Sequence, residues 1–65
     1  MTLRDQITRH LAQMPGQRCT AAEIAAGIGA DPDAVQAELH AMDDAGEVLM
    51  RCGLYRLSEA AKRRA

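Results

Sequence analysis

Neither tryptophan nor phenylalanine occurs in the 65 residues, and Tyr55 is the single aromatic side chain. Alanine supplies 13 of the hydrophobic residues, whereas Leu, Ile, Val and Met together number only 15, Met1 included. Such a chain holds one small core and excludes two. At this size roughly 60% of the unfolded surface becomes buried. At about 1.5–3 kcal/mol per large buried side chain, that barely offsets the ordering entropy. The fold must therefore lean on well-formed helices and on a partner subunit. Long apolar runs are also lacking. The longest stretch free of Asp, Glu, Lys and Arg runs from His10 to Gln17, far short of the roughly 20 residues that span a bilayer. Arg4 and Asp5 interrupt the place where a signal peptide needs an apolar run. A cytoplasmic, soluble protein is expected, and Met1 at the start suggests a complete one.

Catalytic signatures are absent as well. There is no glycine-rich phosphate loop, no nucleophile elbow, and no grouping of His, Asp and Ser that so short a chain can enclose, so no enzyme and no cofactor are expected. Cys19 and Cys52 form no Cys-x-x-Cys pair and lack further ligands at metal spacing, so no metal site is expected. A disulfide between them would need α-carbons within about 6–7 Å and is uncommon in the cytoplasm.

The formal net charge of −1 conceals a segregation. From Cys19 to Met50 there are seven acids (Glu23, Asp31, Asp33, Glu38, Asp43, Asp44, Glu47) and no Lys or Arg. Every basic residue lies outside: Arg4, Arg9 and Arg18 before, and Arg51, Arg56, Lys62, Arg63 and Arg64 after.

Local signals divide the chain into elements. Thr2-Leu3-Arg4-Asp5 resembles a capping box, and Leu3, Ile7, Leu11 and Met14 form one apolar stripe that Pro15-Gly16 stops. Thr20-Ala21-Ala22-Glu23 opens a second helix whose buried side is Ala21, Ile24 and Ile28, with Gly27 and Gly29 bounding its end. Asp31-Pro32-Asp33 starts a third, with Val35, Leu39 and Met42 as its stripe and Gly46 behind it. Val48-Leu49-Met50-Arg51 and Leu54-Tyr55-Arg56-Leu57 around Cys52-Gly53 read as a hairpin. Ser58-Glu59-Ala60-Ala61 can cap one more helical turn, but Lys62-Arg63-Arg64 has nothing apolar to hold it. One domain over 1–61 and a basic, fraying tail over 62–65 are expected. A hairpin needs helices to pack on, so Val48, Tyr55 and Leu57 should close a core with Leu11, Ile24, Ile28, Val35 and Leu39.

The segment Thr20 to Leu57 resembles the winged helix-turn-helix family of small bacterial-type DNA-binding regulators. The resemblance rests on a capped second helix (Thr20 to Ala25), a glycine turn (Gly27-Ile28-Gly29-Ala30) and a third helix opening at Asp31-Pro32-Asp33. It continues through Ala45-Gly46-Glu47-Val48 and the tyrosine-bearing return strand Leu54 to Leu57, running into Ser58-Glu59. It implies a mainly α fold: three helices, a two-stranded wing, and a minor strand near Cys19. It also implies that the third helix enters the major groove while wing and basic residues hold phosphates.

With Val35, Leu39 and Met42 turned inward, Asp33, Gln36, Ala37, His40 and Asp44 face outward. Gln36 can read adenine, His40 can donate to a purine, and Ala37 can touch a thymine methyl. Arg18, Arg51, Arg56 and the basic tail are the candidate phosphate contacts, although a solvated tail and ordinary solvent-facing strand positions are equally open readings. With Thr20 and Asp33, the candidate DNA-binding residues are Arg18, Thr20, Asp33, Gln36, Ala37, His40, Arg51 and Arg56. A homodimer on double-stranded DNA is expected. The competing reading starts from the third helix, whose five acids and lack of Lys or Arg suit a protein partner. Exposed Ala22, Ala25, Ala26, Ala37 and Ala41 would then admit a neighbouring helix. Cys19 reads as a small buried hydrophobe; Cys52, at the wing tip, reads as exposed, with redox sensing as a minor alternative. His10 and His40 read as surface histidines, a metal- or pH-sensing His40 being the lesser option. Asp43-Asp44 reads as a solvated helix end that opposes the dipole.

Overall fold

The computed structural model describes residues 1–13 and 17–64. Met14, Pro15 and Gly16, the expected end and stop of the first helix, lie outside them. The element order is α1 (Leu3–Ala12), α2 (Ala21–Ile28), α3 (Pro32–Asp44), β1 (Val48–Arg51), β2 (Leu54–Leu57) and α4 (Glu59–Arg64).

Each start is capped as its residues dictate. Thr2 Oγ1 accepts from Asp5 N at 3.1 Å, Thr20 Oγ1 from Glu23 N at 3.1 Å, and Asp31 Oδ2 from Ala34 N at 3.1 Å. Each satisfies an amide that the helix itself leaves unpaired. Gly29 closes α2 in the left-handed conformation at φ 70°, and Ala30 N donates back to Ala25 O at 3.0 Å. That abrupt stop leaves two residues before Pro32 opens α3, which packs against α2. Cys52 and Gly53 both have positive φ, 53° and 77°, which is what a two-residue type I′ turn requires. The antiparallel register pairs Val48 with Leu57, Leu49 with Arg56, Met50 with Tyr55 and Arg51 with Leu54. The minor strand is one bridge: Cys19 N donates to Tyr55 O at 3.0 Å, and Tyr55 N to Cys19 O at 2.7 Å.

One core lies beneath these elements. Ile7, Ile24, Val35, Leu39, Met42 and Val48 are fully buried, joined by Leu11, Cys19, Tyr55 and Leu57. Four expectations are corrected here. Ile28 packs only at the core's margin, and Ala25 takes the buried place beside Ile24, so Ala25 leaves the exposed alanine face. Gly27 lies inside α2 rather than at its end, because the chain reverses only at Gly29. His10 is half-buried and stacks against Gly27. The last helix, α4, runs over Glu59–Arg64. Its anchor is Ala61, buried at 4% exposure, whose N–H donates to the buried Ser58 Oγ at 3.2 Å.

Candidate nucleic-acid interface

The candidate readers stand on α3. Burial of Val35, Leu39 and Met42 on one stripe rotates the other side outward, so Asp33, Gln36, Ala37 and His40 are all exposed. Gln36 and His40 are four residues apart, one turn of helix, and project from one face. Thr20 is not beside them in role: it is half-buried, its hydroxyl accepts from Glu23 N, and its own N donates to Glu23 Oε1 at 2.9 Å. The structure thus employs Thr20 as a helix cap.

The acidity of α3 is less uniform than the residue count suggests. Asp31 is engaged as a cap, and Glu38 accepts from Arg4 Nε at 2.9 Å. Arg4 Nη1 also reaches Glu47 Oε2 at 3.1 Å, so a cation from α1 ties α3 to the entry of β1. Sequence reading missed this pairing, since Arg4 lies 34 and 43 residues from its partners. Asp33, Asp43 and Asp44 remain exposed.

Arg18, Arg51 and Arg56 come together. With Asp43, Leu49 and Met50 they line one surface concavity of about 340 Å³. The local reasons are plain. Cys19 bridges Tyr55, which carries Arg18 alongside Arg56, and the hairpin register sets Arg56 across from Leu49. Among the described residues none of these three arginines makes an ion pair. Three guanidiniums against one carboxylate leave the concavity electropositive, a setting suited to a phosphate oxygen. Asp43, Leu49 and Met50 were not among the expected site residues. The tight turn at Cys52-Gly53 was the signal that places Leu49 beside Arg56. Lys62 pairs with Glu59 at 3.7 Å on α4, and neither Lys62 nor Arg63 lines this concavity.

Cys19 is buried and Cys52 exposed. Burial pushes the Cys19 thiol above its ordinary pKa, and the nearby Glu23 carboxylate adds to the rise. Among the described residues no group of three or more His, Cys, Asp or Glu is arranged to hold a metal ion. No helix among them is long and apolar enough to cross a membrane.

Comparison with solved structures decides the fold. A MarR family protein of Mycobacterium tuberculosis superposes with a TM-score of 0.79 at 26% identity, over 97% of this chain and 47% of that one. The fold is a winged helix-turn-helix. In that frame β1, Cys52-Gly53 and β2 are the wing, and α3 follows the turn that α2 and Gly29 create. A second structure, PigF with SAH, matches with a TM-score of 0.69 at 28% identity, over 89% of this chain and 21% of that one. The chain thus spans about half the length of the first of these structures. No protein-family model matches it. No curated protein matches it.

Proposed function

We propose that this winged helix is the DNA-binding unit of a sequence-specific transcriptional regulator, cytoplasmic, non-enzymatic and working as a homodimer. The observation that carries the proposal is the convergence of Arg18, Arg51 and Arg56, with no ion pair to another described residue, on the concavity beside the last turn of α3. Gln36, Ala37 and His40 are exposed on the same helix. Phosphate contacts supply affinity and base-edge contacts supply sequence preference. Likeness to a member of the MarR family, a winged-helix regulator family, supports the same reading. The dimer would double the phosphate contacts and bury more surface than one thin core provides.

A titration of duplex DNA tests it. Random duplex should bind weakly, with affinity falling steeply as salt rises. Gln36→Ala and His40→Ala should weaken a selected site while leaving random duplex unchanged. Sedimentation at about tens of micromolar should show a dimer, and a monomer there removes that part of the proposal. A second reading is favoured by Asp33, Asp43 and Asp44, which leave α3 with exposed acids and no Lys or Arg: a module that docks on a basic protein surface. Absence of duplex binding at low salt, with a protein partner co-purifying, selects that reading.

A further inference from the structure

Asp43 is the single carboxylate among the residues lining the arginine concavity. It stands in the last turn of α3, one residue before Asp44. Neither Asp43 nor any of the three arginines makes an ion pair among the described residues. The acid therefore shares the concavity without being neutralised by a direct contact, and an arriving phosphate meets its field along with that of the guanidiniums. Like charges several ångströms apart at a wet surface repel enough to change an equilibrium constant by a few-fold.

We propose that Asp43 is an affinity-limiting counter-charge in the phosphate seat formed by Arg18, Arg51 and Arg56, an inference that rests on the DNA-binding reading above. Its effect falls on the sequence-independent contacts, because Gln36 and His40 point from the exposed face of α3 and do not line the concavity. Weaker backbone binding lowers the affinity for every duplex alike and leaves the ratio of specific to non-specific affinity to the base contacts. Asp44 supplies the control. It carries the same charge, sits at the same helix end and is exposed, but it does not line the concavity.

Binding of a random duplex to wild type, Asp43→Asn and Asp44→Asn, read by fluorescence anisotropy, tests the idea. At about 50 mM salt Asp43→Asn should bind roughly three- to fivefold more tightly than wild type, and the gain should shrink at about 300 mM as screening shortens. Asp44→Asn should change affinity less than about twofold, although both variants relieve the same helix-end repulsion and should melt slightly higher. Equal gains in the two variants would show an effect of net charge alone and overturn the proposal. Wild-type binding that Asp43→Asn does not tighten also overturns it, while leaving the DNA reading intact. Duplex binding by Asp43→Asn alone supports it. Binding by neither removes the DNA reading and this proposal together.

Discussion

The imidazole of His10 lies directly on Gly27, so that a β-carbon built on Gly27 would overlap its Cε1 and stand 3.0 Å from its Nε2. The two residues line a groove of about 240 Å³ between α1 and α2. A glycine inside a helix ordinarily costs about 1 kcal/mol against alanine. Here the missing methyl lets the histidine ring occupy the space.

Coupling between these two positions follows. Gly27→Ala in the wild-type background should change stability by less than about 0.5 kcal/mol, because turning the half-buried ring from its seat offsets the gain in helix propensity. In a His10→Ala background the same change meets no ring and should stabilise by up to about 1 kcal/mol. Urea unfolding of the four proteins in the cycle measures the difference, and equal effects in both backgrounds would refute it.

Arg4 sets up a second expectation. Its guanidinium reaches Glu38 and Glu47 from α1 with two different nitrogens. A lysine cannot span both carboxylates in that way. Its side chain is 40% exposed, so solvent screening limits the contribution to about 1 kcal/mol. Arg4→Ala should lower stability by about that amount at low salt and by less at about 1 M. Arg4→Lys should recover only part. A loss independent of salt would assign the effect to packing of the arginine stem instead.

Local chemistry made the elements legible and distant packing hid the rest. Thr20 with Glu23, Asp31 with Pro32, and Cys52 with Gly53 each announce a boundary within four residues, and each is found where its chemistry places it. Alanine gives no such signal. Ala25 is buried while Ala22 and Ala26 are exposed, a difference set by how the core meets α2. Ala61 holds down α4 although nothing near it looks apolar enough to serve. The same holds for the site. The exposed reader face follows from the stripe on α3, and Leu49 beside Arg56 follows from the turn. The entry of Asp43 into the arginine concavity depends on where the end of α3 meets the hairpin, and Arg4 finds partners 34 and 43 residues away.

The anchoring of α4 yields its own prediction. Ser58 Oγ accepts from Ala61 N, and Lys62 N donates to Ser58 O at 3.0 Å. Ser58→Ala removes the cap and leaves a buried amide without its partner, at a cost of about 1 kcal/mol. Hydrogen exchange at the Ala61 and Lys62 amides should accelerate about fivefold or more, while exchange in α3 changes little. Unchanged exchange at both amides would show that the hydroxyl does not hold the helix.

The buried thiol makes stability depend on pH in a definite direction. Folding raises the Cys19 pKa by burial first and by Glu23 second, so the native state keeps its proton at pH values where the unfolded chain has lost it. The stabilisation is fully present below the unfolded thiol pKa of about 8.5 and is lost as pH rises through the native value. Wild type should lose more stability than Cys19→Ala between about pH 8 and 10, whatever the cavity costs the variant at neutral pH. Iodoacetamide should label Cys52 in the folded protein and Cys19 only after denaturation, as mass spectrometry of the two peptides would show.

Arg51 and Arg56 should separate affinity from stability. Arg51 is exposed and follows Met50 at the end of β1, so Arg51→Ala should weaken binding to every duplex alike and leave the melting temperature nearly unchanged. Arg56 is half-buried, lies across from Leu49 and lines the concavity, so truncating it removes packed side chain as well as charge. Arg56→Ala should therefore lower both affinity and melting temperature, whereas Arg56→Lys should retain most of the affinity. Each arginine that touches a phosphate contributes about 0.9 to the slope of log K against log salt. Titrations of random duplex across salt concentrations, paired with thermal melts, read both effects. If the slope is the same for wild type, Arg18→Ala, Arg51→Ala and Arg56→Ala, the concavity is not where the backbone sits, and the basic residues of α4 become the next place to look.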